Sequence, residues 1–328
     1  MPNVFAANGF SQYSGNGSTP TYELITMAIA SGNTNPIFNG DPVVQAASAT
    51  GIGTGYITQA YGPVTLTVAA TAITVTAAGV LTVTFSAATA TSGTAPPATP
   101  NAWAPPVGST LIINGATVAG ASTNTNLNGA YTVTSSTTTT AVVANTNIGT
   151  GAVITSTASG TVTVIVPVAG IFNGCQYLST ATKRQEWSPY WPGSGSNGDV
   201  QAKVIADPNA RFLVQTANSN TTATAVGLAQ VGQNISFNWN DSVTTGETNG
   251  NTASGQSTFF ADQFSLIGSS AAGPAVNAFL PFRIIGLANY IPGQASPLVS
   301  INGNDHASGY NDIIVGFNNA MPRNFAGI

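Results

Sequence analysis

The sequence predicts an all-β protein, and three observations support this. Only 5% of its 328 residues are charged, against about 25% in an ordinary soluble domain. Thr, Ser, Asn, Gly and Ala take their place; Thr with Val favours half-buried pleated surfaces, and Gly with Asn favours tight turns. Many segments alternate apolar and polar residues with period two, and none shows the i, i+3, i+4, i+7 spacing of an amphipathic helix. We therefore expect no long helix.

The N-terminal part predicts an extended arm followed by two strands. Residues 1–20 are rich in Gly, Ser and Asn. Residues 22–30 place Ile25, Met27 and Ile29 on one face of a strand. The turn signal Asn39-Gly40-Asp41-Pro42 then precedes a short strand at 43–46.

Residues 57–160 predict an inserted immunoglobulin-like β-sandwich. Short strands alternate Thr with apolar residues, as at 64–68, 81–85 and 131–134, and Val162, Val164 and Val166 form another such face just beyond this range. Asn128-Gly129 predicts a hairpin turn, and the Pro-rich stretch at 95–106 predicts a loop outside any sheet interior. Six to eight strands at such spacing are typical of a small sandwich.

The second half predicts further strands. The segments 200–205 and 211–215, joined by the turn Asp207-Pro208-Asn209, are expected to form a hairpin. Other strand candidates are 232–239, 257–266, 279–287 and 312–317.

Charge and turn patterns predict the domain organisation. No residue between Asp41 and Lys183 is formally charged, and Gly-Thr-Gly occurs at 53–55 and again at 149–151. We expect residues 1–56 and 161–328 to form a discontinuous β-barrel-like or β-sandwich core, with arm 1–20. Residues 57–160 would form the separate inserted module.

Residues that could carry chemistry are few. His306 and Asp312 could be imagined as a metal site, but zinc sites need three or four converging ligands, so we expect no metal and no cofactor. The single cysteine, Cys175, lies in an apolar stretch and is expected to be a buried small side chain. The ten acidic residues are scattered; Glu186 beside Trp187 is the only hint of a carbohydrate-active enzyme, which needs paired carboxylates. We expect no enzyme activity.

Composition also argues against two partner classes. The net charge is −4 and only six residues are basic, whereas nucleic-acid binding usually requires a basic patch. The longest apolar run, 162–172, is interrupted by Pro167 and is far shorter than the roughly 20 residues of a spanning helix. No secretory signal is visible at the N-terminus.

Two aromatic groups are candidate interfaces. In the stretch 186–192 the aromatic rings would either plug the end of a β-barrel or anchor a protein contact, in which Trp and Tyr carry much of the energy. The aromatic residues of the arm would find little to pack on in their own chain and would order on a neighbour. The candidate interface residues are Phe5, Phe10, Tyr13, Trp187, Tyr190 and Trp191.

With 57–160 set aside, the chain resembles the capsid decoration, or cement, proteins of tailed bacteriophages. The resemblance covers about two-thirds of the chain and consists of short motifs in family order. These are Gly40-Asp41-Pro42-Val43, then the motifs at 168–174, 187–192, 204–212, 281–287 and 312–319.

The resemblance implies a structural virion protein, made in the host cytoplasm and bound to the outer surface of the capsid. Its partners would be the major capsid protein and further copies of itself, most simply as a homotrimer. The inserted module would point outward, where a host-surface glycan is a further expected partner. A phage fibre or bacterial surface adhesin is the alternative, which a repeated Thr-rich module or a secretion signal would favour.

Overall fold

The computed structural model describes residues 3–15, 23–90, 103–118, 126–144, 146, 148, 153–240, 249–266, 276–289 and 308–321. Of these described residues, 52% lie in strands and 5% in helices, which confirms the all-β prediction. The helices among these residues are three short 3-10 turns: Leu228–Gln230, Gln263–Leu266 and Val276–Phe279.

The strands are β1 (Ser11–Ser14), β2 (Leu24–Ile29), β3 (Pro42–Ala47), β4 (Gly53–Gln59), β5 (Val64–Val75), β6 (Leu81–Ala90), β7 (Thr110–Asn114), β8 (Thr117–Val118), β9 (Gly129–Thr132), β10 (Ser135–Ser136), β11 (Thr140–Val143), β12 (Ile154–Ala158), β13 (Thr161–Ile165), β14 (Gly170–Leu178), β15 (Gln185–Ser188), β16 (Val200–Ile205), β17 (Arg211–Ala217), β18 (Asn234–Asn238), β19 (Gly250–Asn251), β20 (Gln256–Ser257), β21 (Phe260–Asp262), β22 (Phe282–Leu287) and β23 (Asp312–Phe317). The strands predicted at 22–30, 43–46, 200–205, 211–215 and 312–317 are therefore confirmed.

A first barrel forms from β14, β16, β2, β4 and β3. The ring closes because β3 pairs with both β4 and β14, and β15 extends it from β14. Alternation along β16 turns Val200, Ala202 and Val204 into the interior. There they pack with Phe172 and Trp191 in a compact apolar core.

A second barrel forms from β17, β21, β18, β22 and β23, with β1 added beside β17. The ring closes because β17 pairs with β23 on one side and with β21 on the other. Its core is rich in phenylalanine: Phe10, Phe212, Phe237, Phe259, Phe282 and Phe317 are all buried.

The predicted hairpin of 200–205 with 211–215 is wrong. β16 pairs with β14 and β2 in the first barrel, whereas β17 pairs with β1, β21 and β23 in the second. Asp207 stabilises a turn between them, since its side chain accepts a hydrogen bond from the Asn209 N–H (2.8 Å) and its carbonyl one from Ala210 (3.0 Å). The sequence therefore predicted the turn correctly, but the turn connects the first barrel to the second instead of joining two strands of a hairpin.

Strands β5 to β13 belong to a third, nine-stranded sheet, called here the inserted sheet. Its order is β10-β11-β6-β5-β13-β7-β9, with β12 paired to β5 and β8. The two end strands of this order, β9 and β10, follow each other in the chain. Between them, the Val133 N–H donates to the Ser109 carbonyl just before β7, and the Thr134 N–H donates to the Val142 carbonyl of β11. These strands thus form one joined sheet, where the sequence predicted an immunoglobulin-like sandwich.

The expected hairpin turn at Asn128-Gly129 is wrong. Gly129 lies opposite Ile113 of β7, so the connection between these strands is much longer than two residues. Asn128 instead holds the two ends of that connection together. Its side chain accepts a hydrogen bond from the Ala116 N–H (2.8 Å) and donates one to the Ala116 carbonyl (3.0 Å).

Both connections of the inserted sheet meet on β3. The Ala60 N–H bonds to the Pro42 carbonyl (2.8 Å) and the Ala169 N–H to the Val43 carbonyl (2.7 Å). The sheet begins at Val64 and ends at Ile165, so 57–59 belong to the first barrel and 161–165 to the inserted sheet. The division into two domains stays a prediction, as does the role of Gly-Thr-Gly at 149–151, which lies outside the described residues.

Candidate interaction surface

The arm is part of the second barrel, so the expectation that it has little to pack on in its own chain is wrong. Phe10 is buried and stacks on Phe282, with ring centroids 4.5 Å apart. Phe5 packs edge-on against Phe260 and Tyr310. Two of the three arm candidates therefore contribute to packing within the chain.

Tyr13 is the exposed member of the arm. The register of β1 on β17 shifts between Gln12, opposite Phe212, and Ser14, opposite Arg211, which makes Tyr13 the extra residue of a β-bulge. Its side chain is 45% exposed. Among the arm aromatics it is the one placed to meet a partner.

The aromatic residues of 187–191 divide between the two roles considered for them. Trp191 is fully buried in the first barrel, where its Nε1 donates to the Asn33 carbonyl (3.1 Å) and its ring meets Tyr177 edge-on. Tyr190 is half-buried, and its ring stacks on that of Phe38 with the ring centroids 5.2 Å apart. Trp187 is 64% exposed. Trp191 is thus a core residue, and Trp187 is the candidate anchor.

Trp187 lies over a glycine of the neighbouring strand. A Cβ atom built on Gly174 would stand 3.0 Å from Cζ2 of the indole, and Gly174 has φ +107°, which side-chain-bearing residues rarely adopt. The β14–β16 register shifts between Phe172 and Cys175, both of which face the first barrel's core. Asn173 and Gly174 therefore form a bulge on the outer face of the barrel, beside Trp187.

A polar cavity of about 200 Å³ opens between the arm, segment 39–40 and this bulge. We call it the amide cavity, because five of the nine residues that line it carry side-chain amides. These are Asn8, Gln12, Asn39, Asn173 and Gln256.

The amide cavity is neutral. Its remaining lining residues are Phe10, Ser11, Gly40 and Ile205, so no charged side chain lines it. The side-chain amides of Asn8, Asn39, Asn173 and Gln256 donate and accept no hydrogen bond within the described part of the chain. The cavity thus presents unused donors and acceptors beside a few apolar atoms.

Asp41 is buried next to the cavity wall formed by Asn39 and Gly40. Its Oδ2 accepts from the Phe38 N–H (2.8 Å) and from Nε2 of Gln59 (2.6 Å). No donor lies in hydrogen-bond geometry at Oδ1, although the nearby Ser257 hydroxyl favours the ionised form. Burial outweighs these contacts and raises the pKa of Asp41 to about 7.

The remaining chemical candidates are located as follows. Cys175 is fully buried in the first barrel, as predicted, and burial raises its thiol pKa to about 12. His306 lies outside the described residues, so its suggested pairing with Asp312 stays untested. Among the residues that the structure describes, no three His, Cys, Asp or Glu side chains are grouped to hold a metal ion, and no helix is long and apolar enough to cross a membrane.

Comparison with protein-family models, curated proteins and solved structures finds no match to this chain.

Sequence reasoning missed the amide cavity and found Trp187. The cavity is built from five distant segments, and single Asn or Gln residues carry no signal in a chain so rich in them. Trp187 was found because two tryptophans in one short stretch are conspicuous, but the sequence did not separate its role from that of Trp191.

Proposed function

We propose that this protein is a structural component that decorates and stabilises the outside of a tailed-phage capsid. The proposal starts from the resemblance of its ordered motifs to capsid decoration proteins. The structure adds where those motifs lie: all of them fall in the two barrels or the segments that join them, and none falls in the inserted sheet.

One observation carries the proposal furthest: the motif Gly40-Asp41-Pro42-Val43 joins the parts of the molecule. The Gly40 N–H bonds to the Phe172 carbonyl (2.9 Å), and the Phe172 N–H bonds to the Asp41 carbonyl (2.8 Å). The Gly40 carbonyl accepts from the Phe10 N–H of the arm, and the carbonyls of Pro42 and Val43 accept from the two connections of the inserted sheet. This motif therefore joins the arm, the first barrel and both connections of the inserted sheet.

The surface chemistry suits a protein repeated at high density. Immobilising a long charged side chain costs up to roughly 2 kcal/mol of rotamer entropy, and like charges on neighbouring copies repel. A surface of Thr, Asn and Gly avoids both costs. Trp187, exposed on the β14–β15 hairpin, supplies the kind of aromatic anchor that dominates protein interfaces.

In this proposal the two barrels grip the major capsid protein and the inserted sheet points outward. Copies associate as a closed symmetric oligomer, most simply a homotrimer, since repeated chains favour rotational symmetry. The host-surface glycan contact expected for the outward module remains part of the proposal.

The central experiment is binding to undecorated phage heads, followed by co-sedimentation and electron microscopy. We expect the chain on the head surface. Trp187→Ala should weaken binding at least tenfold, as for an interface hot spot, whereas Phe264→Ala, which truncates another exposed aromatic side chain, should not. Density on a tail or fibre, or no binding to heads at all, would contradict the proposal and favour the fibre or adhesin alternative.

A deletion tests which part binds. Val64 and Val164 are cross-strand partners, so their Cα atoms lie about 5 Å apart, and a short Gly linker can join them after removal of 65–163. This cut leaves β4 and the first barrel intact. We expect the shortened protein to bind heads; loss of binding by a folded deletion variant would place the capsid contact on the inserted sheet instead.

A further inference from the structure

The amide cavity has a lining that matches one class of ligand. A side-chain amide offers both N–H donors and a carbonyl acceptor, and a sugar hydroxyl likewise donates and accepts. Four of the five amides have no hydrogen-bond partner within the described residues, and they converge from separate segments of the chain. We propose that the amide cavity is a binding site for a neutral sugar ring.

Charge excludes the main alternatives among small ligands. No Lys, Arg, Asp or Glu lines the cavity, so an anion or cation entering it would lose hydration without gaining a counter-charge. A neutral polyol carries no such penalty. Its hydroxyls replace the hydrogen bonds that water makes to the amides.

Size and surface character agree with a single ring. A volume of about 200 Å³ corresponds to roughly six or seven water molecules at about 30 Å³ each. Phe10 and Ile205 also border the cavity, but both are almost fully buried, so the side-chain amides supply most of the surface that a sugar ring would meet. Polar groups at fixed positions beside a small apolar surface are the usual composition of a selective small-molecule site.

The shape argues against a peptide as the occupant. An extended peptide usually adds to an exposed strand edge or lies in a groove along one element. The amide cavity is instead bordered by five separate segments: the arm, segment 39–40, the β14 bulge, the end of β16 at Ile205 and β20. This sugar site lies on the two barrels, away from the inserted sheet, and does not depend on capsid binding.

The test is saturation-transfer NMR on the full chain with glucose, galactose, mannose and N-acetylglucosamine. Glucuronic acid and N-acetylneuraminic acid serve as charged comparisons. We expect saturation of at least one neutral sugar and none of the acids. Absence of transfer to every neutral sugar would overturn the proposal, as would preference for an acid.

Variants locate the site. Asn173→Leu and Gln256→Met remove amides at nearly constant volume, and each should weaken binding about fivefold, the value of one hydrogen bond. Asn197→Leu, at an exposed residue outside the cavity, should bind as wild type does. Asn8→Ala, at an exposed arm position, provides a cavity variant that does not alter either barrel's strands.

Two results would overturn the assignment even if sugars bind. Unchanged affinity in folded Asn173→Leu and Asn8→Ala proteins would place the sugar elsewhere on the chain. If these variants instead lose binding to phage heads and keep sugar binding, the cavity is a socket for the capsid protein. Sugar binding that depends on the cavity, with no head binding by the wild type, would uphold the site and reject the proposed function.

Discussion

The backbone N–H of Phe10 donates a hydrogen bond to the carbonyl of Gly40, at 3.0 Å. The two segments of the chain cross so closely here that a Cβ atom on Gly40 would stand 3.0 Å from the Phe10 nitrogen, and Gly40 has φ +94°. Beyond the crossing, the Phe10 ring enters the phenylalanine core of the second barrel. The arm is therefore fixed to the body by backbone geometry and by a buried ring.

Phe10→Ala should lower the free energy of unfolding. Truncating a buried Phe costs about 3–5 kcal/mol, and here it also removes the stacking contact with Phe282. Tyr13→Ala is the matched control, because that ring is exposed at a bulge and should change stability by at most about 0.5 kcal/mol. The measurement is the free energy of unfolding in denaturant.

Equal stability of the two variants would contradict the arm's structural role. The pair also separates folding from binding, since a folded Tyr13→Ala protein that fails to bind heads would assign that exposed ring to the capsid contact. Deleting the whole arm would not distinguish these effects, because Phe10 would be lost with it.

Local patterns predicted the strands because alternation depends on neighbouring residues alone. Val200, Ala202 and Val204 are buried with period two, as the sequence indicated. Which strands pair could not be predicted in the same way. β16 and β17 look like a hairpin in sequence, yet burial of Phe212 in the second barrel and Val204 in the first separates them.

The candidate surface was predicted only in part, for a related reason. A tryptophan at 187 and one at 191 look alike in sequence, but their exposure depends on which side of the barrel wall each one occupies. The amides at 8, 39, 173 and 256 meet only because four distant segments converge. No local pattern encodes such a meeting.

Gly174→Ala should destabilise the protein more than Gly195→Ala. Both glycines have positive φ, +107° and +92°, so an alanine at either pays a similar backbone strain of about 1–2 kcal/mol. At Gly195 the new Cβ meets nothing within 4 Å, whereas at Gly174 it stands 3.0 Å from the Trp187 indole and 3.1 Å from the Ser188 carbonyl oxygen. The difference in unfolding free energy between the two variants measures how closely β15 is packed against this glycine; equal values would contradict that close packing.

Cys175 should resist thiol reagents until the first barrel opens. Its side chain is fully buried, and its raised pKa of about 12 leaves almost no thiolate at neutral pH. As the only cysteine in the chain, it reports on this barrel alone. Labelling followed by mass spectrometry should be slow in buffer and fast in denaturant, and rapid labelling of the native protein would contradict the closed barrel.

Stability should fall as the pH rises from about 4 to about 7, through Asp41. Burial raises the pKa of this carboxyl from 3.8 to about 7, so between these values the folded state keeps a proton that the unfolded chain loses. The folded state is therefore favoured at low pH and loses that advantage as pH rises through the folded pKa. The loss from this group amounts to at most about 4 kcal/mol, since one pKa unit corresponds to about 1.4 kcal/mol.

Asp41→Asn isolates this contribution, because the amide keeps a carbonyl for the Phe38 N–H and the Gln59 side chain but cannot ionise. We expect a shallower decline in unfolding free energy between pH 4 and pH 7, and a variant at least as stable as wild type at pH 8. Some slope should remain, because burial also raises the pKa of Asp262. Asp199→Asn is the control of opposite sign: hydrogen bonds from Tyr56 and Ser31 lower the pKa of that exposed carboxyl, so its small contribution is lost as pH falls. An Asp41→Asn protein with the full wild-type slope would show that the buried carboxyl is ionised in the folded state well below pH 7.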